Sequence, residues 1–320
     1  MTNIWTRYVP YHVARDIVDD PDSPIIPREQ RINAVTMFAD VSGFTAMSEA
    51  LGKFGKKGTE ELTDILNSYF DPTINLLKRY GGIIGKFGGD AMTIMFPYTN
   101  EEEQRNAVRR ALYCGLKMQV DMANYTDIPT SGGVYSLAMK VGLGMGPVYF
   151  ANVGDETIRL EFIIAGYAID ECSDAEHHSE KGDVIAANSM LRFIPEATLG
   201  EVRDDFTLIT GFDAPVDAQP VIGIETVPNK AVRLLQKYVH PATASRMMIA
   251  RSDFVDEHRR VTVLFVNFTA MDYDDDPDVS EKIQAYSEAV VRTIHLYGGY
   301  LNKIDMGDKG SKYIVLFGAP

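Results

Sequence analysis

Ala34-Val-Thr-Met-Phe-Ala-Asp40 is an apolar run that ends in a carboxylate, and Val41-Ser-Gly-Phe-Thr45 follows it directly. Its valine, threonine and phenylalanine residues are typical of a buried strand, and the Asp and Gly beyond them mark where the strand ends. Between residues 58 and 80 the apolar positions recur at helical spacing, and Gly81-Gly82 ends that stretch. The sequence therefore predicts a strand and then a helix, and Pro72 should kink or split this helix.

The chain that follows alternates between strand-like and helix-like segments. The turn Gly88-Gly89-Asp90 predicts a hairpin, and a capping box at Thr99-x-x-Glu102 predicts the start of a helix. The predicted segments are strands at 83–87, 91–96, 139–151 and 157–165, and helices that end near 122 and span 167 to about 179. This order predicts an α+β fold, with helices packed on a largely antiparallel sheet.

The opening pattern occurs a second time. Val261-Thr-Val-Leu-Phe-Val-Asn267 resembles the first strand, and Tyr297-Gly-Gly-Tyr-Leu-Asn-Lys303 resembles Tyr80-Gly-Gly-Ile-Ile-Gly-Lys86. We predict one domain type used twice, with the second copy beginning near Arg259. The second copy is either a half-domain or, as we expect, part of a longer protein, because half a sheet leaves an open edge.

Composition excludes several classes of protein. The 31 Lys and Arg residues against 45 Asp and Glu residues give a net charge of −14, which argues against a nucleic-acid-binding groove. Hydrophobic residues make up 45% of the chain, yet no apolar run is long enough for a membrane helix. Two cysteines fit a reducing compartment, and no signal peptide is visible, so we expect a cytoplasmic protein.

Asp40 and Asp90 are the candidate metal ligands. The predicted topology places the hairpin tip beside the end of the first strand, where two carboxylates suit two Mg²⁺ ions. Gly43 allows close approach to the free N–H groups of the next helix, which makes an anion site. Taken singly, Asp40 also fits a strand-end residue beside a helix cap, and Asp90 fits an ordinary turn.

The second copy lacks both carboxylates. Asp40 aligns with Asn267, and Asp90 aligns with Gly307. The second copy therefore cannot hold the ions itself, whereas two paired domains with one ion site between them need only one set.

The motif pair Phe38-Ala-Asp-Val-Ser-Gly-Phe-Thr-Ala-Met47 and Lys86-Phe-Gly-Gly-Asp-Ala91 resembles that of class III nucleotide cyclases. Within that class it is most similar to the soluble, bicarbonate-responsive adenylyl cyclases and their bacterial relatives. The likeness extends through Lys140-Val-Gly-Leu143, Gly154-Asp-Glu-Thr157 and Arg260 to Asn267, and covers the chain from about residue 12 onward.

This resemblance implies the fold and the division of the chain. The expected fold is a ferredoxin-like cyclase domain with a βαββαβ core, followed by the N-terminal half of a second, homologous domain. The predicted parts are an N-terminal segment (1–30), the first catalytic domain (31–190), a linker or subdomain (191–258) and the beginning of the second domain (259–320). The active site would lie between the two domains, which pair within one chain or in a homodimer.

The resemblance also implies roles for individual residues. Asp40 and Asp90, with the Val41 carbonyl, would hold two Mg²⁺ or Mn²⁺ ions. Lys140 would contact a phosphate, and Lys303 would read adenine, since guanylyl cyclases resemble one another in carrying an acidic residue there. The loop that would hold the triphosphate of ATP consists of Ser42, Gly43, Phe44 and Thr45.

Two departures from the family pattern bear on activity. Asp170 and Asp174 stand where family members carry an Asn and a transition-state Arg, and the second copy's equivalents would lie beyond the last residue. We therefore expect little or no activity from this chain alone, with further C-terminal domains missing. Of the residues implied for a bicarbonate site, Lys86 and Met306 match, but Ser173 stands at the arginine position.

The leading prediction is an adenylyl cyclase that converts ATP into 3′,5′-cyclic AMP and pyrophosphate. A regulatory pseudo-cyclase that binds nucleotide without turnover is the first alternative, favoured by Asp170 and Asp174. A guanylyl or diguanylate cyclase is the second; the diguanylate turn Gly-Gly-[Asp/Glu]-Glu-Phe resembles Gly88 to Asp90 only weakly, because Ala91-Met92 follow.

Overall fold

A computed structural model of the chain describes residues 4–241, 243–245, 260–307 and 310–318. These residues fall into two compact units. We call Ile32–Val148 with Tyr167–Ile222 the sheet unit, and Met1–Arg31 with Tyr149–Gly166 and Gly223–Pro320 the composite unit.

Seven α-helices and thirteen strands lie within the described part of the chain. The helices are α1 (Tyr11–Asp19), α2 (Phe44–Gly52), α3 (Gly55–Arg79), α4 (Glu101–Met122), α5 (Tyr167–His177), α6 (Asn229–Gln236) and α7 (Val279–Leu296). The strands are β1 (Arg28–Ser42), β2 (Ile83–Gly88), β3 (Ala91–Tyr98), β4 (Ile128–Thr130), β5 (Gly133–Tyr135), β6 (Ala138–Asp155), β7 (Arg159–Ala165), β8 (Val184–Ala187), β9 (Ala197–Arg203), β10 (Phe206–Phe212), β11 (Thr262–Phe268), β12 (Gly299–Gly307) and β13 (Gly310–Phe317).

The main sheet has the predicted ferredoxin-like core. Its strand order is β2-β3-β1-β6-β8-β10-β9, and β7 pairs with β6. Within it, β2-β3-β1-β6 is the order that a βαββαβ unit forms when each helix crosses back over the sheet. β1 and β3 are antiparallel, and Ala39 pairs with Met92 at the end of that ladder.

The two faces of β1 pack against different helices. Val35, Met37 and Ala39 are fully buried in one core cluster with Leu77 of α3 and Leu112 of α4. Because side chains alternate along a strand, Thr36 faces the opposite way, and its hydroxyl donates to the Ala168 carbonyl of α5 at 2.6 Å. Helices therefore cover both faces of the sheet.

Close packing of α5 requires a glycine on β6. A Cβ atom at Gly142 would lie 2.3 Å from the Cys172 carbonyl oxygen, closer than any side chain tolerates. The backbone of α5 therefore lies directly against the strand at this point.

The helix α3 passes through Pro72 without being split, and the alternative, a kink, stays a prediction. Proline has no N–H to donate to the Ser68 carbonyl four residues earlier. The Tyr125 hydroxyl donates to that carbonyl instead, at 2.6 Å. A side chain distant in sequence thus satisfies the acceptor that the proline leaves open.

The capping box of α4 lies one residue later than predicted. Asn100 is the N-cap, and its side chain accepts from the Glu103 N–H at 2.9 Å. The Glu103 carboxylate in turn accepts from the Thr99 N–H at 2.8 Å. Asn100 competes with Thr99 for the cap because both residue types cap well.

The sheet extends past residue 190 to Phe212, since β10 pairs with both β8 and β9. The predicted boundaries at 30, 190 and 258 stay predictions, and the last lies outside the described residues. The chain from 213 to 228 has no helix or strand, and within it the Val221 N–H donates to the Lys78 carbonyl of α3 at 2.8 Å.

The composite unit contains a βαββ arrangement like the opening of the sheet unit. Its three-stranded sheet has the order β11-β13-β12, which corresponds to β1-β3-β2. Register shifts fall between Ile84 and Lys86 in β2 and between Leu301 and Lys303 in β12, at matching positions of the sequence repeat. The sequence repeat therefore corresponds to a structural repeat that includes the register shift. The assignment of this part of the chain as half of a second domain stays a prediction.

Within the composite unit, α7 holds the turn between β6 and β7. The Gln284 amide bonds the Gly154 N–H and carbonyl at 3.0 and 2.8 Å, and the Arg292 Nε lies 2.7 Å from the buried Asp155 carboxylate. Hydrogen bonds from Thr157, together with Arg292, lower the pKa of Asp155 to about 2 despite its burial.

Replacing Tyr125 by Phe should lower the free energy of unfolding by about 1 kcal/mol, because the Ser68 carbonyl then loses its donor. In a Pro72→Ala background the alanine N–H takes over this acceptor, so Tyr125→Phe should cost less. Urea unfolding followed by far-UV circular dichroism tests this double-mutant cycle. Equal costs in the two backgrounds would show that the hydroxyl does not replace the missing helix bond.

Acid should weaken the composite unit through Asp155. A carboxyl whose folded-state pKa is lowered stabilises above its unfolded pKa of about 3.9, and this contribution of about 2 kcal/mol is lost as pH falls towards 2. Trp5, the single tryptophan, is buried in this unit and reports its unfolding. Asp155→Asn should flatten the fluorescence-detected pH dependence below pH of about 4; an unchanged slope would contradict the assignment.

Candidate active site

The sheet register brings the two predicted metal ligands together. Ala39 pairs with Met92, so the next residue of β1, Asp40, lies beside Ala91, the neighbour of Asp90. Both carboxylates are partly buried, and burial raises the pKa of Asp90. Strand pairing thus places two acidic side chains at one point on the edge of the sheet.

Tyr69 of α3 is a third titratable side chain in this region. Burial raises the pKa of its phenol strongly, and the negative charges of Asp40 and Asp90 raise it further. Both carboxylates thus lie within reach of the charge interactions of one side chain, which extend about 8 Å at physiological salt. The sequence showed Tyr69 only as one apolar position of the helix; its hydroxyl is the signal that could have distinguished it.

The loop after β1 presents backbone N–H groups beside Asp40. Gly43 has a φ of +96°, and a Cβ there would lie 2.4 Å from the Ser136 carbonyl oxygen, so only glycine fits. The helix α2 begins at Phe44 with no side-chain cap, which leaves its first N–H groups available. Such a helix start attracts phosphate. Of the predicted loop residues, Ser42 is partly buried and Thr45 is exposed.

Lys86 lies on the same face of the sheet as Asp40. Lys86 and Phe38 both pair with Thr93, so the three residues form one row across the sheet. Asp40, two positions after Phe38, shares that face, which is opposite to the face that packs on α3 and α4. The register shift between Ile84 and Lys86 sets this orientation of the lysine.

Lys140 contacts a carboxylate of the protein. Its Nζ lies 2.9 Å from Glu176 Oε1 of α5 and also bonds the Glu176 carbonyl at 3.3 Å. Glu176 is buried, so it requires a cationic partner. The predicted phosphate contact of Lys140 stays a prediction.

The remaining predicted residues lie elsewhere. Ser173, Asp170 and Asp174 are on α5, and the buried Ser173 hydroxyl has no hydrogen-bond partner in the described part of the chain. Lys303 and Met306 are on β12 of the composite unit, opposite Ile314 and Ser311. These positions leave the predicted adenine and bicarbonate roles as predictions.

The donor set at the β1 end suits a divalent cation. In the residues that the structure describes, no three His, Cys, Asp or Glu side chains come together, so Asp40 and Asp90 are a pair and not part of a larger cluster. Two carboxylates, with a backbone carbonyl and water, are the hard oxygen donors that Mg²⁺ and Mn²⁺ prefer. The raised pKa of Asp90 shows a carboxylate whose charge burial leaves poorly stabilised, which fits a cation site.

Paired carboxylates beside a glycine-started helix, on a ferredoxin-like sheet, define a class III nucleotide cyclase domain. The chain belongs to the Adenylate and Guanylate cyclase catalytic domain family, whose profile matches residues 27–215. The resemblance seen in the sequence motifs is thereby confirmed.

Relatives with curated names extend the likeness over most of the chain. Adenylate cyclase type 10 of Mus musculus is 26% identical over 97% of this chain, and that of Homo sapiens is 25% identical over 97%. The chain spans 21% of the length of each. The crystal structure of the adenylyl cyclase CyaB from P. aeruginosa is 24% identical, covers 63% of this chain and all of its own, and has a TM-score of 0.44.

Helices that could span a membrane do not occur within the described ranges of the chain.

Replacing Gly43 by Ala should destabilise the loop, because residue 43 has a positive φ and a Cβ atom there would collide with the Ser136 backbone. Such strain costs on the order of 1–3 kcal/mol before the clash is counted. Gly52→Ala is the matched control, since Gly52 ends the same helix and has open space around its Cβ position. Thermal unfolding should show a lower midpoint for Gly43→Ala alone; equal midpoints would contradict the close approach.

Proposed function

We propose that this chain is an adenylyl cyclase catalytic region that converts ATP into 3′,5′-cyclic AMP and pyrophosphate. The observation that carries the proposal is the pairing of Asp40 and Asp90 beside the free N–H groups of α2. The curated adenylate cyclases that align with 97% of the chain support adenine as the base.

Each part of the site has a role in this reaction. Asp40, Asp90 and the Val41 carbonyl would hold two divalent cations, which when bound acidify the ribose 3′-hydroxyl and neutralise the leaving phosphates. The loop from Ser42 to Thr45 would orient the triphosphate through its N–H groups. The 3′-oxygen forms a bond to the α-phosphorus, and the bond from that phosphorus to the bridging oxygen of pyrophosphate breaks.

Two lysines would complete nucleotide recognition. Lys140 would reach a phosphate from the start of β6, donating one N–H of its ammonium group to the nucleotide while another stays on Glu176. Lys303 would donate to the adenine ring, whereas a guanine-specific site needs an acceptor at this point. A purified chain that prefers GTP to ATP would overturn this assignment of Lys303.

A regulatory pseudo-cyclase is the second candidate. It is favoured by Asp170 and Asp174, because α5 carries no Lys or Arg to stabilise the charge that develops in the transition state. Such a protein would bind ATP with its metal but form no product.

Cyclic AMP formation from ATP with Mn²⁺ separates the two candidates. The full-length protein should form product, and Asp40→Asn or Asp90→Asn should reduce the rate at least about a hundredfold. Asp64→Asn is the matched control, because Asp64 is an exposed acid on α3. Metal-dependent ATP binding without product would favour the pseudo-cyclase, and undiminished turnover in both Asn variants would contradict the metal site.

A further inference from the structure

The composite unit contains a cavity of about 350 Å³, and neither Asp40 nor Asp90 belongs to this unit. It lies where the start of β7, the end of α7 and the start of β12 meet. Val291, Ile294 and Leu316 form apolar walls, and Arg159, His240 and Tyr300 form polar ones. Its size falls within the usual range for small-molecule pockets.

Arg159 is the unusual member of this lining. Its side chain is only 9% exposed, and among the residues that the structure describes its anionic partner is Glu161, 3.2 Å from Nη2. Its Nε and Nη1 groups have no hydrogen-bond partner among the described residues. Buried guanidinium donors are almost always satisfied, and leaving them unpaired is costly. The cavity beside Arg159 thus adjoins a cation with unused donors.

The surroundings of Arg159 favour an organic anion over a simple ion. The guanidinium carbon lies 5.1 Å from the centre of the Tyr300 ring, and the His240 ring contacts the same tyrosine in a T-shaped arrangement with centroids 4.2 Å apart. Burial, and then the charge of Arg159, lower the pKa of His240, so the imidazole is neutral near pH 7 and adds no second cation. One cationic side chain, Arg159, and the apolar wall residues thus line the same cavity.

We propose that this cavity binds a small monocarboxylate with an apolar body. The carboxylate accepts from the unused N–H groups of Arg159, after the Tyr300 ring that lies over the guanidinium turns aside. The apolar part lies against Val291 and Ile294. The ligand thereby ties β7 to α7 and β12, and it stabilises the composite unit independently of nucleotide turnover.

Benzoate and isobutyrate are suitable probes, with benzamide as the uncharged match and sodium chloride at equal ionic strength as the salt control. Trp5 fluorescence follows thermal unfolding of the composite unit, and calorimetry measures binding directly. Benzoate or isobutyrate should bind saturably and raise the unfolding midpoint, whereas benzamide should not. Stabilisation at 100 times the dissociation constant corresponds to about 2.7 kcal/mol.

Three variants make the test specific. Arg159→Gln should weaken benzoate binding at least about tenfold, the loss of one charge-assisted interaction. Val291→Phe keeps Arg159 but fills the cavity, so it should abolish benzoate binding. This variant tests the proposal even if Arg159→Gln fails to fold. Arg233→Gln, an exposed arginine of α6, should bind as the wild type does.

Several results would overturn the proposal. If neither benzoate nor isobutyrate binds saturably, the cavity holds only water. If benzoate and benzamide raise the unfolding midpoint equally, the charge of the carboxylate has no role in binding. If inorganic phosphate binds in preference to benzoate, the apolar part of the ligand has no role. Unchanged benzoate binding in Val291→Phe would place the ligand elsewhere. None of these readouts uses cyclic AMP, so they stand apart from the catalytic proposal.

Discussion

The register of β1 against β3 is the constraint on which the rest of the site depends. The pairing of β1 with β3 fixes Asp40 beside the hairpin that carries Asp90, and neither strand can slip without turning its buried face outward. The fold therefore holds two acidic residues near the end of this strand pair, and burial raises the pKa of Asp90. A divalent cation would stabilise the ionised carboxylates there, which is why the strand register supports the proposed cation site.

Backbone positions around the site are set with little tolerance. Gly43 passes the Ser136 carbonyl so closely that no side chain fits, and Gly142 does the same against α5. These contacts fix the start of α2 and the position of α5 relative to the sheet. Packing thus fixes the start of α2 beside the end of β1, as a preorganised site requires.

Local sequence patterns predicted the parts of the structure that depend on neighbouring residues. The strand, hairpin and helix signals predicted the α+β order, and the resemblance to nucleotide cyclases implied the ferredoxin-like core. The repeat even matched the strand irregularity before Lys86 and Lys303. Contacts between distant segments could not be predicted in this way. The donation from Tyr125 across α3 at Pro72 and the ion pair of Lys140 with Glu176 depend on how the fold brings the segments together. For the same reason, Tyr69 was seen as a core position and not as a neighbour of both acids.

Calorimetric binding of Mn²⁺-ATP to the wild type, Asp40→Asn, Asp90→Asn and the double variant tests most directly whether the two carboxylates form one site. If they hold the same ions, each single substitution removes most of the affinity and the second adds little, a strongly non-additive cycle. Losses that simply add, or an affinity that one of the two substitutions leaves unchanged, would show that Asp40 and Asp90 act separately and would contradict the account.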